Sequence, residues 1–434
     1  MTNSAPLLKT AHGQNFLRVV IGRLTSQFGS QITGFSLTIW IYQQTESLSL
    51  FGLLIFLYAL PRLVVAPFAG NLVDKYDRKK VMLSSELSAL IVIFLLLLLH
   101  WQGALTLLVL GFFTIAIASI AVVQVVVLSA ATAQLLPPDN RMSGNAIIHI
   151  GFAINQMLAP VLAGFLVYRY GLTTVFVIHI ILLILAFFTL KGVAFNQIDQ
   201  QEDQSQSSWQ AFKLGLSHVL NKKILLTLAL FTLVTNFLLT AAEVLFTPLV
   251  LSYETAEMLG RLMAMAGLGI FIGGVAAMKL AKTKRKVHLL LFAQSACGIS
   301  LILVGSQHSV WLWAVCMVVI FAGIALAATC NQTIWQNRTP LAIQGRVFAV
   351  KVMITTSIVP LAYLLSPIIT DIGVKSLLLE FPWLGHIAPA GKGQAIGLMF
   401  VILGSCLLLF VTIVAMSGRL DRDDETPLKS LKSA

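Results

Sequence analysis

Apolar segments about twenty residues long recur from one end of this chain to the other, separated by short polar loops. A helix of about 20 apolar residues crosses the roughly 30 Å hydrocarbon core of a bilayer and satisfies its own backbone hydrogen bonds there. The pattern predicts an all-α membrane protein with twelve transmembrane helices. Their predicted starts lie near Asn15, Leu50, Val81, Leu105, Ser143, Leu172, Lys223, Glu257, Val287, Val310, Arg346 and Ala395.

The composition agrees with a membrane protein and excludes several other classes. Of the 434 residues, 58% are hydrophobic and only 11% are charged, and the mean hydropathy is +0.90, outside the usual range of soluble domains. The net charge of +12 comes from cations in short loops between spans, so we expect no nucleic acid partner. The four cysteines lack metal-ligand spacing. We therefore predict no metal, no cofactor and no enzymatic activity.

The cations predict the orientation in the membrane, because loops on the cytoplasmic side are enriched in lysine and arginine. Alternate loops carry most of them, which places both termini in the cytoplasm of a multi-pass plasma membrane protein, the inner membrane in a bacterium. The cations assigned to this side are Lys75, Arg78, Lys79, Lys80, Arg141, Lys213, Lys222, Lys223, Lys282, Lys284, Arg285, Lys286, Arg338, Arg419, Arg422, Lys429 and Lys432.

A polar stretch over residues 193–222 divides the sequence into two six-helix halves, 1–192 and 223–434. Apolar residues at helical spacing after Trp209 indicate a short interfacial helix within this linker, although a plain linker fits equally well. The halves repeat each other: Gly70 before one basic turn corresponds to Gly274 before another. The repeat predicts two pseudo-symmetric halves with substrate bound near the membrane midplane.

The basic turn after the second span reads Gly70-Asn71-Leu72-Val73-Asp74-Lys75-Tyr76-Asp77-Arg78-Lys79-Lys80. It resembles the Gly-x-x-x-Asp-Arg/Lys-x-Gly-Arg-Arg/Lys signature of the major facilitator superfamily, with Asp77 where many members have glycine. The resemblance implies that Asp74 faces the start of the eleventh helix at Gly345 and Arg346 and closes the cytoplasmic side. A helix N-terminus favours an anion by roughly 0.3 to 1 kcal/mol. Gly70 and Arg78 complete this expected gate.

Other segments are similar to the branch of the superfamily that contains macrolide-efflux and enterobactin-export proteins. They are Ser26–Gln31, Trp40–Thr45, Pro61 and Gln344–Phe348. This resemblance implies an exporter. In the fifth span, Pro160 and Gly164 retain part of the antiporter signature, so antiport is expected, although helix packing explains these residues equally well.

One face of the predicted seventh helix is polar. Thr232, Asn236, Thr240 and Glu243 follow one another at intervals of four, four and three residues, so they share a face that we expect to meet the cavity. Because an ionised carboxylate within a membrane is costly, we expect Glu243 to take part in proton coupling or cation recognition. A structural carboxylate near the outer interface is the alternative. For Glu86 in the third span, we favour pairing with the adjacent basic turn.

Helices one, four, seven and ten line the central cavity in the superfamily, so the resemblance implies that polar side chains on them contact substrate. On the first span, Arg23 and two glutamines share a helical face. Interhelical hydrogen bonding is the alternative for each side chain. The candidate substrate contacts are Gln27, Gln31, Gln124, Asn236, Thr240, Asn331 and Trp335.

These observations predict a secondary active transporter that exports a hydrophobic or amphipathic small molecule, drug-like or siderophore-like, by alternating access and proton antiport. The expected partners are that small molecule, the proton and the lipid bilayer, and the expected state is a monomer. Two alternatives stay open. One is an importer or uniporter of a polar metabolite, and the other is a non-transporting lipid scramblase or sensor of the same fold.

Overall fold

The computed structural model describes residues 11–193, 208–280, 285–340 and 343–417, and the regular structure in these ranges is helical throughout. The described residues form two compact units, which we call the N-terminal and C-terminal units. The N-terminal unit holds 11–46, 53–193 and 255–261, and the C-terminal unit holds 47–52, 208–254 and the rest from 262 onward.

The first six helices carry the N-terminal unit. They are α1 (Ala11–Thr45), α2 (Leu48–Val64), α3 (Ala66–Lys75), α4 (Arg78–Trp101), α5 (Leu107–Leu135) and α6 (Pro138–Lys191). Pro67 lies in the first turn of α3, where it follows the end of α2. Proline is favoured at that position because the first amides of a helix have no partner within the helix. The side chain of Asp77 accepts a hydrogen bond from the Lys80 amide and caps α4.

The remaining helices carry the C-terminal unit. They are α7 (Ser208–Asn221), α8 (Lys223–Leu251), α9 (Ala256–Lys279), α10 (Lys286–Ser306), α11 (Val310–Arg338), α12 (Gln344–Thr356), α13 (Val359–Ile368), a π-helix (Ile369–Val374), α14 (Lys375–Glu380), a 3-10 helix (Pro382–His386) and α15 (Gln394–Ser417). The polar linker thus contains a helix, α7, which contacts α8 and α12.

Twelve membrane crossings follow from these helices. In the described residues, nine helices are long and apolar enough to cross a bilayer. One of them, α6, contains two crossings because Gly171 breaks it with φ 76° and ψ −179°, a conformation that essentially only glycine adopts. The first two predicted spans correspond in position to α1 and to the α2–α3 pair. The predicted spans are confirmed, including the separate sixth span after Gly171.

The outer faces of these helices are apolar. Leu108 is 86% exposed and Trp311 is 85% exposed, which would be unfavourable in water but suits a hydrocarbon surround. In the C-terminal unit, glycines allow helices to approach closely: a Cβ on Gly404 of α15 would lie 2.6 Å from the Gly298 carbonyl oxygen of α10. In the N-terminal unit, a Cβ on Gly260 would lie 3.2 Å from Val161 Cα, next to Pro160 and Gly164. Small residues therefore permit close packing in both units.

Candidate functional site

The N-terminal unit contains a buried polar group that we call the Arg23–Glu86 cluster, formed by Arg23, Ser26, Glu86 and Gln124. Ser26 Oγ donates to Glu86 Oε2 at 2.6 Å, and Gln124 Nε2 donates to Glu86 Oε1 at 3.0 Å. Arg23 Nη1 lies 4.0 Å from Glu86 Oε1. All four residues are at most 3% exposed. The carboxylate therefore has a counter-charge and two hydrogen-bond donors.

This cluster corrects one expectation and gives Gln124 a defined position. Glu86 pairs with Arg23 of α1, 63 positions earlier in the chain, and not with the adjacent basic turn. The reason is geometric, because Glu86 lies in the third turn of α4 and faces α1 and α5, away from water. Gln124, a candidate substrate contact, serves here as an interhelical hydrogen-bond donor.

Gln27 and Gln31 extend the same face of α1 by one and two turns. Both residues are half-buried, and the side-chain carbonyl oxygen of each is buried with no hydrogen-bond partner in the described residues. A buried acceptor without a donor costs free energy. In this conformation the two oxygens are therefore unsatisfied acceptors.

The charged turn between α3 and α4 is only partly described. Arg78 Nη1 donates to Gln134 Oε1 at 2.9 Å and to the Ala130 carbonyl oxygen at 3.2 Å, joining α4 to α5. Lys79 Nζ donates to the Val193 carbonyl oxygen at 2.6 Å. The backbones of Gly70 and Asp74 lie in α3, and those of Gly345 and Arg346 lie in the first turn of α12. The side chains of these last four residues lie outside the described part of the chain, so the gate stays a prediction.

A second polar group lies in the C-terminal unit, and we call it the Lys351 cluster: Gln332, Trp335, Phe348 and Lys351. Lys351 Nζ of α12 donates to Gln332 Oε1 of α11 at 2.6 Å. The same nitrogen lies 5.5 Å from the centroid of the Trp335 ring and 5.8 Å from that of Phe348. Lys351 is half-buried. Sequence reasoning missed this residue, although a lysine five residues into an apolar span was the available signal.

Amide and hydroxyl groups next to the Lys351 cluster join α8 to α11 and α12. Asn331 Nδ2 donates to Thr232 Oγ1 at 2.9 Å, and Asn236 Nδ2 donates to the Thr355 carbonyl oxygen at 2.9 Å. Two polar atoms here are buried and have no partner in the described residues, Asn331 Oδ1 and Trp335 Nε1. Trp335 itself is 0% exposed, so its ring contacts protein in this conformation.

Asn236, Thr240 and Glu243 line a single pocket within the C-terminal unit, which has a volume of about 190 Å³. The helices α8, α9, α10, α11 and α15 supply its walls, and the side chains besides these three are apolar, including Phe246, Phe321 and others. Glu243 is exposed, and among the described lining residues it is the one ionisable group. The pocket suits an apolar molecule with a few polar atoms.

Comparison with known proteins identifies the family. The sequence model of the Major Facilitator Superfamily matches residues 19–363. The chain belongs to this superfamily. It is therefore a multi-pass membrane transporter of a small molecule and not an enzyme.

The transporter resembles curated exporters in sequence and solved transporters in fold. It is 27% identical to the enterobactin exporter EntS of Citrobacter koseri over 352 residues, 79% of this chain and 81% of the relative. The EntS protein of Shigella boydii matches over the same length, also at 27% identity. Among solved structures, the nucleoside transporter NupG superposes with a TM-score of 0.71 at 11% identity, covering 92% of this chain and 99% of NupG.

A second solved structure supports the same fold. A bacterial homologue of the human lysosomal transporter Spinster superposes with a TM-score of 0.67 at 14% identity, covering 96% of this chain and 98% of the homologue. At these identities the structures show the fold alone, which is the twelve-helix major facilitator fold with two pseudo-symmetric halves.

Proposed function

We propose that this transporter exports a hydrophobic or amphipathic small molecule by alternating access, driven by proton antiport. We also propose that both of its termini lie in the cytoplasm. The observation that carries the proposal is the similarity to enterobactin exporters over 79% of the chain. A siderophore-like or drug-like molecule combines apolar surface with a few hydrogen-bonding groups. The apolar pocket with Asn236, Thr240 and Glu243 supports that class of substrate.

The proton-coupling part of the proposal rests on Glu243. A carboxylate that faces an apolar pocket within the membrane is costly when ionised, so its protonation can follow the conformation of the protein. A proton that moves inward down the membrane potential yields about 2.3 kcal/mol per 100 mV. Glu243 would accept that proton when the pocket opens outward and release it when the pocket opens inward.

The test is Glu243→Gln in proteoliposomes with an imposed pH gradient. We expect gradient-driven transport to fall to the level seen without a gradient, while exchange of substrate down its own gradient continues. The matched control is Glu257→Gln, because Glu257 is an exposed carboxylate that pairs with Arg261 one turn away and should leave transport unchanged. Gradient-driven transport by Glu243→Gln at the rate of the parent would eliminate the coupling role.

Export itself is tested by the accumulation of candidate drugs and siderophores in cells with and without the protein. We expect cells that lack it to retain more of at least one amphipathic compound. Equal accumulation across a broad panel would count against the proposed function.

Asp74 is proposed to bias the switch between conformations, in line with the family signature. Asp74→Asn should then slow transport with little change in substrate affinity. Asp77→Asn in the same turn is the control, because asparagine caps a helix as well as aspartate does. Equal transport rates for Asp74→Asn and the parent would remove this role.

A further inference from the structure

The Lys351 ammonium is a membrane-embedded cation whose charge is not balanced by a carboxylate in the described part of the chain. The ion pairs recorded there involve Arg23, Arg261, His308 and Lys375, and Lys351 is not among them. Its partners are one amide oxygen and two aromatic rings. These partners are dipoles and quadrupoles, which stabilise a cation without neutralising it.

The geometry keeps the ammonium available. One of its three hydrogens is used by Gln332 Oε1 at 2.6 Å, and the residue is half-buried, so protein does not enclose it completely. Lysine is flexible, but the two rings at 5.5 and 5.8 Å confine its head group. A confined cation with free donors is preorganised to bind an anion.

The surroundings add to this preference. The indole Nε1 of Trp335 is a buried donor without a partner in the described residues, and Thr355 Oγ1 donates back to the Lys351 carbonyl oxygen at 2.9 Å. That bond spans one helical turn, from Lys351 to Thr355. The carbonyl oxygen of Thr355 in turn accepts a hydrogen bond from Asn236, which lines the pocket. The backbone of Lys351 therefore lies one helical turn away from a residue that is hydrogen-bonded to the pocket wall.

We propose that Lys351, confined by Gln332, Trp335 and Phe348, binds the acidic group of the exported molecule, and that the substrate is an amphipathic organic anion. This inference rests on the proposed function, since it assigns a charge to the substrate of that transporter. The apolar pocket would take the hydrophobic part of the molecule. A carboxylate, phenolate or sulfonate would meet the ammonium and complete its missing counter-charge.

The experiment measures dye binding by fluorescence anisotropy with the full-length protein in detergent micelles. The probes are carboxyfluorescein and tetramethylrhodamine methyl ester, which share a xanthene skeleton and carry opposite charges. We expect the parent protein to prefer carboxyfluorescein. Lys351→Met should weaken carboxyfluorescein binding about tenfold or more, the usual range for a lost charge-assisted hydrogen bond. Binding of the cationic dye should stay the same or improve.

Three further variants separate charge from shape. Lys351→Arg should retain most of the affinity for carboxyfluorescein. Gln332→Glu should lose affinity nearly as far as Lys351→Met, because it supplies an internal carboxylate where an amide oxygen lies 2.6 Å from the ammonium. Lys375→Met is the matched control: this lysine already pairs with Asp371, and its loss should leave binding of both dyes unchanged.

The outcomes that overturn the anion site are distinct from those that overturn export. Parent-level carboxyfluorescein binding by Lys351→Met, equal losses for both dyes, or a parent protein without preference for the anionic dye would each reject it. If the dye preference depends on Lys351 while the accumulation assay shows no export, the site stands and the proposed function fails. If the cells export a compound but the parent protein does not prefer the anionic dye, the proposed function stands and the anion site is rejected.

Discussion

The two polar clusters differ in whether a charge within the membrane has an oppositely charged partner. In the N-terminal unit, Arg23 and Glu86 lie together, and Ser26 and Gln124 complete the hydrogen bonds of the carboxylate. In the C-terminal unit, Lys351 has rings and an amide but no recorded carboxylate partner among the described residues. The carboxylate of the first cluster therefore has a counter-charge and two donors, whereas the cation of the second has no carboxylate within reach among the described residues.

This difference shows how to separate structural from functional charge in a membrane protein. A buried pair of opposite charges holds helices together. Removing one partner alone is costly, because the other charge then stays buried and unpaired. A cation that is only partly compensated raises the energy of the resting protein, which a ligand can relieve on binding. The number of charges in each cluster says less than whether those charges cancel.

The largest expected effect on stability comes from removing one charge of the Arg23–Glu86 cluster. Glu86→Gln leaves Arg23 buried without a counter-charge, and because a guanidinium cannot lose its proton, we expect a loss of about 3 to 5 kcal/mol in the free energy of unfolding. Arg23→Met should cost less, since a carboxyl group can take up a proton. Thermal unfolding in detergent micelles measures both.

The control and the decisive comparison use the same measurement. The exposed carboxylate variant Glu257→Gln should change stability by about 0.5 kcal/mol or less. The double variant Arg23→Met/Glu86→Met should recover much of the loss, because neither charge is left unpaired. A Glu86→Gln protein as stable as its parent would show that the Arg23–Glu86 pair does not stabilise the fold.

An intermediate effect is expected when the amide partner of each charge is removed. Gln124→Leu deprives Glu86 Oε1 of its closest donor within a fully buried cluster, which should cost about 1 to 3 kcal/mol. Gln332→Leu removes the acceptor of Lys351, but the ammonium keeps its contacts with two aromatic rings and the residue is only half-buried, so the cost should be about 1 kcal/mol or less. Unfolding curves for the two variants test the contrast, and equal losses would contradict it.

The smallest expected effect is on the stability of Lys351→Met. Methionine keeps contact with Trp335 and Phe348 and strands no carboxylate, so the free energy of unfolding should stay within about 1 kcal/mol of the parent. The same variant is expected to lose anion binding, which separates function from folding. A loss as large as that of Glu86→Gln would place Lys351 among the structural charges instead.

Much of the fold could be predicted because hydrophobic periodicity and breakers are local. The twelve spans begin within a few residues of their predicted starts, and the break at Gly171 lies next to the predicted start at Leu172. Pairing could not be predicted in the same way. Glu86 has basic neighbours in sequence, yet its partner is Arg23 on another helix, because helix packing brings distant residues together and turns nearby ones apart.

The residues of the candidate site also differ in how far the sequence could predict them. Asn236, Thr240 and Glu243 share a helical face by spacing alone, and they line one pocket. Lys351 carried a sequence signal, because a lysine five residues into an apolar span is unusual. Its ring contacts, and the lack of a carboxylate within reach among the described residues, can be seen only in three dimensions.

By itself, the sequence determined that this chain is a twelve-helix membrane transporter, because a bilayer accepts apolar helices and little else. It also determined which helix faces carry polar groups, since those follow from a period of 3.6 residues. The tertiary structure alone decided which charges cancel. Arg23 and Glu86 neutralise each other and Lys351 does not, since Coulomb energy depends on distances between helices that no local pattern records.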